Sequence, residues 1–104
     1  MVKEIQDMKE FDDELAKANN LVVIDFTAVW CGPCKKIAPI FEALSTTYTD
    51  VIFLKVDVDC NEELVARYAV TAMPTFVFIK NCKEIDRMTG YDPTKLETKT
   101  KALK

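Results

Sequence analysis

The chain has 104 residues, 49% of them hydrophobic, and a formal net charge of −3 at pH 7. A chain of this length can bury one hydrophobic core but is too short for two, so we expect a single domain over residues 1–104. The acidic balance argues against a general binder of nucleic acid or of anionic membranes, because such proteins need a basic face.

The first residues, Met1-Val2-Lys3-Glu4, carry no apolar segment behind a basic lead, and no run approaches the ~20 apolar residues of a membrane span. We therefore expect a cytoplasmic protein. The four cysteines would also suit a disulfide framework. Because reducing compartments keep structural disulfides rare, the missing signal disfavours that interpretation.

Apolar periodicity predicts strands and helices that alternate along most of the chain. Asp7 and Glu10 are spaced as a helix cap and capping box. Residues 21–29 are almost continuously apolar, which indicates a strand buried on both faces. The predicted elements are a strand at 2–5, a helix from Asp7, strands at 21–29 and 51–58 around a helix from Lys35, a short helix from Asp59, strands at 75–80 and 83–88, and a helix from Asp92.

The stretch Trp30-Cys31-Gly32-Pro33-Cys34 lies where the predicted buried strand turns into a helix. Two cysteines at this spacing form a dithiol that can close into a small disulfide ring and reopen. Free backbone N–H groups and partial positive charge at a helix start stabilise a thiolate at Cys31. Pro33 costs little there, because a first-turn residue has no helical acceptor for its N–H.

A zinc site is the main structural alternative for these cysteines. It would need two further ligands, and the chain has no histidine. Cys60 and Cys82 lack paired spacing, so the sequence disfavours zinc.

Three motifs resemble the thioredoxin family, in order and at the expected separations, and the likeness runs nearly end to end: Val23-Ile24-Asp25-Phe26, Trp30-Cys31-Gly32-Pro33-Cys34-Lys35 and Ala72-Met73-Pro74-Thr75-Phe76. Animal-type, cytosolic members are especially similar. The resemblance implies an α/β chain with the thioredoxin fold. This fold has a central mixed five-stranded sheet, in strand order 1-3-2-4-5, flanked by four helices.

The resemblance also implies a general protein-disulfide reductase. Cys31 would attack the substrate disulfide and Cys34 would resolve the mixed disulfide. No cofactor is expected on the chain itself; electrons would come from NADPH through a separate thioredoxin reductase. The expected clients are disulfide-containing proteins such as peroxiredoxin-like ones, and the expected state is a monomer.

Asp25 stands inside the apolar strand, where an isolated carboxylate is expensive and its pKa should rise. The resemblance implies that Asp25 accepts a proton from Cys34, through water. Alternatively, Asp25 pairs with Lys55 from the neighbouring strand. The two interpretations are compatible, because a nearby ammonium would tune the same pKa.

Pro74 on its own would be an ordinary trans proline before a strand. The resemblance instead implies a cis bond after Met73, packed beside the dithiol, with an apolar surface around it that binds extended segments of many proteins. Plain packing remains an open alternative for Val58. The surface is expected to comprise Trp30, Val58, Ala72, Met73, Pro74 and Gly90, with Gly32 and Pro33 between the cysteines.

Two residues depart from the family pattern. Cys82 replaces a glycine in the turn between the last two strands, so we expect a strained turn or another turn type. Cys60 is expected at a helix start, mildly activated or simply a small neutral residue. The two should lie too far apart to pair.

Two other functions remain as alternatives. A disulfide isomerase or oxidase is disfavoured by the missing secretory signal and by the Gly-Pro between the cysteines. A binding or scaffold module with an incidental dithiol is disfavoured because Asp25, Cys31, Cys34 and Pro74 are all present.

Overall fold

The structure, a computed structural model, describes every residue from Met1 to Lys104. Strands and helices alternate until the last two strands, which follow each other directly. The elements are β1 (Val2–Glu4), α1 (Met8–Lys17), β2 (Val22–Thr27), α2 (Gly32–Thr47), β3 (Ile52–Asp57), α3 (Glu62–Arg67), β4 (Thr75–Lys80), β5 (Lys83–Thr89) and α4 (Pro93–Leu103). None of the helices has both the length and the apolar character needed to cross a membrane.

The five strands form one mixed sheet in the order β1-β3-β2-β4-β5, which confirms the predicted fold. β3 pairs in parallel with both β1 and β2, whereas β4 is antiparallel to β2 and β5 is antiparallel to β4. The central strand β2 is buried along its whole length, as its continuous apolar run predicts. Its carboxyl end leads into the Cys31 segment, so the most buried strand supports the site.

Alternate residues of β2 pack into two separate cores, one on each face of the sheet. Ile24 and Phe26 join the core under α1 and α3, whereas Val23 joins the core under α2 and α4. In the second core, Phe41 of α2 contacts Phe53 and Phe76 at ring-centroid distances of 5.3 and 5.6 Å. Burying each such ring contributes ~1.5–3 kcal/mol, so α2 is held firmly against the sheet.

Helix α2 begins at Gly32, three residues before the predicted start at Lys35. Cys31 occupies the N-cap position with extended backbone, and Pro33 lies in the first turn, where it is tolerated. Cys34 therefore belongs to the helix, while Cys31 stands at its entrance.

The predicted start of α3 at Asp59 is wrong, because α3 begins at Glu62 after Asn61. The side chain of Asp57 accepts the N–H of Asp59 at 2.9 Å, and the Asp57 carbonyl accepts the N–H of Cys60 at 3.1 Å. These bonds form a tight turn before the helix. Cys60 thus lies in that turn and does not begin α3.

The turn between β4 and β5 keeps its hairpin geometry although glycine is missing. Asn81 and Cys82 have φ values of 54° and 62°, so both central residues of the turn have the positive φ that a type I′ turn requires. The sequence predicts either a strained turn or another turn type. The strained turn is confirmed, because the left-handed backbone region that Cys82 adopts disfavours residues other than glycine. A register shift at Phe78/Ile79 leaves Ile85 exposed on the outer strand β5.

Candidate active site

Cys31 and Cys34 are joined by a disulfide, with their Cα atoms 5.2 Å apart. The backbone N–H of Cys34 donates to Cys31 Sγ at 3.2 Å, and the N–H of Lys35 donates to the Cys31 carbonyl at 3.2 Å. The first turn of α2 therefore directs a backbone donor at the Cys31 sulfur. Such a donor and the helix dipole stabilise a thiolate at this position.

The two cysteines differ slightly in exposure. Cys31 is 6% exposed and Cys34 is 1% exposed, so both are buried and Cys31 is the more accessible. Ala28 packs with them into a small cluster, and Val58 and Met73 close its sides. Cys31 is therefore the cysteine that an incoming sulfur reaches more readily.

Asp25 is 1% exposed, and its Oδ1 has no hydrogen-bond partner. Burial raises the pKa of Asp25 to about 7, while the Lys55 ammonium opposes that rise. Lys55 lies directly opposite Asp25 in the register of β2 and β3, but no ion pair within 4.0 Å joins the two side chains. The predicted rise in pKa is therefore present, and the predicted ion pair is not formed.

A cavity of about 250 Å³ lies beside Cys34, on the α2 side of the sheet. Its walls include Thr27, Lys55 and Asp57, together with Cys34. Its volume is large enough for several waters, and these polar side chains offer them hydrogen-bond partners. Asp25 is not part of its wall, but it shares a face of β2 with Thr27, two residues along the strand.

The outer face of the site is apolar and only partly covered. Trp30 is 62% exposed and Val29 is 69% exposed. Gly32, Pro33 and Ala72 are exposed beside them, and Met73 is half-buried against the dithiol.

Met73 and Pro74 are joined by a cis peptide bond, as the family resemblance implies, and Pro74 is buried. The N–H of Gly90 donates to the Pro74 carbonyl at 2.9 Å. This bond brings the start of the final loop, where Gly90 has a φ of 97°, next to the segment before β4. The motifs at residues 30–34, 58, 72–74 and 90 thus meet at one end of the sheet.

Asp59 is a contact of this face that the sequence analysis missed. The indole Nε1–H of Trp30 donates to Asp59 Oδ2 at 2.8 Å. No local pattern predicts a bond between residues 29 positions apart, and the Asp59-to-Glu62 spacing indicated a helix cap instead.

The other cysteines lie outside this site. Cys60 and Cys82 are exposed free thiols, in agreement with the prediction that they do not pair. Cys82 lies in the turn after β4, where its Sγ–H donates to the carbonyl oxygen of Leu15 at 3.8 Å. No group of three or more His, Cys, Asp or Glu side chains is arranged to hold a metal ion.

Comparison with known proteins gives one consistent family. The family model for thioredoxin matches residues 2–102. The chain is 49% identical over 102 residues to Thioredoxin-1 of Schizosaccharomyces pombe. That alignment covers 98% of each chain. It also superposes on the X-ray structure of Fasciola hepatica thioredoxin with a TM-score of 0.95 and 47% identity, over 98% of this chain and 99% of the other.

A third match comes from structural work on yeast mitochondrial 1-Cys peroxiredoxin, whose thiol is resolved through glutathione/thioredoxin systems. The matching yeast chain has a TM-score of 0.91 and 39% identity, over 98% of this chain and 95% of its own length.

Proposed function

This chain belongs to the thioredoxin family of protein-disulfide oxidoreductases, and from that premise we propose how its own residues carry the reaction. It is a thiol–disulfide reductase with a redox-active pair at Cys31 and Cys34. The observation that carries the proposal is the position of Cys31 at the entrance of α2, where it accepts the N–H of Cys34.

Cys31 is the attacking residue in this mechanism. Its thiolate attacks one sulfur of the client disulfide, forming a Cys31–client mixed disulfide and releasing the other client sulfur as a thiolate that takes up a proton. The greater exposure of Cys31 and the backbone donor at its sulfur support this assignment over Cys34.

Cys34 resolves the mixed disulfide. Its thiolate attacks Cys31 Sγ, the Cys31–Cys34 disulfide forms, and the second client sulfur leaves as a thiolate that is then protonated. Two electrons have then passed from the dithiol to the client. The separation of 5.2 Å between the two Cα atoms suits this ring closure.

Asp25 accepts the proton that Cys34 must lose before it attacks. A pKa of about 7 lets Asp25 take and release protons near neutral pH. The cavity beside Cys34 supports transfer through water, because Thr27 of its wall lies on the same face of β2 as Asp25. The Lys55 ammonium, on the same wall, lowers the pKa of the Asp25 carboxyl.

The client docks on the apolar face around Cys31. The exposed Trp30 and the half-buried Met73 and Val58 support apolar contact with an extended segment, and Ala72 and Gly90 complete the rim. Gly32 and Pro33 keep the helix entrance free of bulky side chains, and Pro74 fixes the segment that precedes β4.

We further propose the setting of this cycle. The oxidised chain is re-reduced by an NADPH-dependent thioredoxin reductase, which completes an electron-transport route that maintains cell redox homeostasis. The clients include peroxiredoxin-like proteins, a suggestion supported by the yeast match. Because the dithiol must stay reduced, we assign the chain to the cytoplasm. One sheet and a family match over residues 2–102 support a single domain, and we propose that it acts as a monomer.

Trapping the mixed disulfide tests the order of attack. In a background in which Cys60 and Cys82 are replaced by serine, a Cys34→Ser variant should accumulate a covalent adduct with a disulfide client through Cys31, detectable by mass. The matched Cys31→Ser variant should form almost none. Equal trapping by the two variants would contradict the assigned roles.

A further inference from the structure

Trp30 is restrained although most of it faces solvent. Its side chain is 62% exposed, yet the indole N–H donates to the carboxylate of Asp59 at 2.8 Å. Hydrogen bonds to ionised acceptors are stronger than those between neutral groups. This bond therefore fixes the orientation of the large ring that immediately precedes Cys31.

Asp59 is itself held by a turn that Asp57 organises. Asp57 Oδ1 accepts the N–H of Asp59 at 2.9 Å, and the Asp57 carbonyl accepts both the N–H of Cys60 and the side-chain amide of Asn61, each at 3.1 Å. The same turn carries Val58, which packs against the dithiol. This single turn thus positions both Val58 and, through Asp59, the Trp30 ring on the surface around Cys31.

We propose that Asp59 is a positioning residue for client binding, which acts by holding the Trp30 indole in its docking orientation. The proposal rests on the proposed disulfide-reductase function. Ordering a large side chain during association costs free energy, and a side chain that is already ordered lowers that cost. Protein clients that cover Trp30 depend on this bond, whereas a small disulfide that reaches only Cys31 does not.

Positioning can be separated from a simple effect of charge. Asp59→Ala removes both the acceptor and the charge, while Asp59→Asn removes the charge but keeps an acceptor oxygen for the indole N–H. Glu63→Gln is the matched control, because Glu63 is an exposed carboxylate four residues away that makes no hydrogen bond to Trp30.

The first measurement is the time-resolved fluorescence anisotropy of Trp30, the only tryptophan in the chain. All variants are made in the Cys60→Ser, Cys82→Ser background. Asp59→Ala should add a fast local component to the decay, whereas Asp59→Asn and Glu63→Gln should resemble the parent. An Asp59→Ala decay identical to that of the parent overturns the proposal.

The second measurement is steady-state reduction of insulin and of 5,5′-dithiobis(2-nitrobenzoate), with dithiothreitol as electron donor. For insulin, Asp59→Ala should raise KM about three- to tenfold with kcat within about twofold, because weaker docking appears in KM when chemistry is slow. The rate at which Asp59→Ala reduces 5,5′-dithiobis(2-nitrobenzoate), the small disulfide, should stay within about twofold of the parent's rate.

An unchanged insulin KM in Asp59→Ala, or an equal rise in Glu63→Gln, overturns the positioning role. If the parent reduces neither disulfide, the proposed function fails, and the anisotropy of Asp59→Ala still decides whether Asp59 positions Trp30.

Discussion

Asp25 and Lys55 lie opposite each other on neighbouring parallel strands, yet they form no ion pair. Because its Oδ1 is also without a hydrogen bond, Asp25 is an isolated buried carboxyl with a pKa of about 7. Ionising such a group inside the protein costs free energy, so Asp25 destabilises the fold at neutral and alkaline pH. Its presence in an otherwise apolar strand is explained by the proton transfer proposed for Cys34.

Replacing Asp25 by asparagine should stabilise the protein at neutral and alkaline pH. The folded protein keeps the Asp25 proton up to a pH of about 7, whereas the unfolded chain releases it near the ordinary pKa of 3.8. The free energy of unfolding of the wild type therefore falls as pH rises from about 4 to about 7, by up to about 4 kcal/mol.

Urea unfolding as a function of pH measures this effect. The curve of Asp25→Asn should lack the fall between pH 4 and 7. Asp13→Asn, which removes an exposed carboxylate of α1, is the control and should follow the wild type. Parallel curves for Asp25→Asn and wild type would contradict a buried, proton-binding Asp25.

Replacing Lys55 by methionine should raise the pKa of Asp25 above about 7. The Lys55 ammonium is the group that lowers this pKa, although the two side chains do not touch. The expected rise is roughly half a unit to one unit, below the effect of a contacting charge.

Carbon-detected NMR titration of the Asp25 carboxyl reports that shift directly. Lys36→Met is the control, because Lys36 stacks over the Tyr91 ring, with its ammonium 4.6 Å from the ring centroid, outside the cavity wall. If Lys55→Met leaves the midpoint within about 0.2 units of the wild type, Lys55 has no tuning role.

Replacing Cys82 by glycine should stabilise the chain. Cys82 has a φ of 62°, a region that disfavours side chains but not glycine. Relief of this strain, offset by the greater freedom of glycine in the unfolded chain, should add about 0.5–1 kcal/mol.

Equilibrium urea unfolding of reduced protein measures this gain. Cys82→Ala removes the thiol but keeps the strained backbone, so its stability should match the wild type. Equal stability of the glycine and alanine variants would show that the turn is not strained.

The sequence predicts most of the framework because the strongest signals are local. The continuous apolar run of β2 and the cysteine pair after it follow from neighbouring residues, so their structure and burial are predictable. The strand order and the cis bond before Pro74 were expected only from the family resemblance.

The contacts that were not predicted join distant parts of the chain. The Asp59 carboxylate binds Trp30 rather than capping α3, since the turn formed by Asp57 delays that helix until Glu62. Lys55 was a possible partner for Asp25, but register alone does not determine whether two side chains meet. Such competition between local and long-range partners is not encoded in spacing.

An equilibrium redox titration of the Cys31–Cys34 pair tests the proposed disulfide-reductase function most directly. The titration is followed by Trp30 fluorescence in the Cys60→Ser, Cys82→Ser protein. We expect a reversible two-electron transition at a reducing potential of about −270 mV, which is the value typical of thioredoxin and is not calculated from this geometry. A potential of about −180 mV or higher would indicate an isomerase or oxidase. A pair that does not form its disulfide reversibly would contradict a redox function altogether.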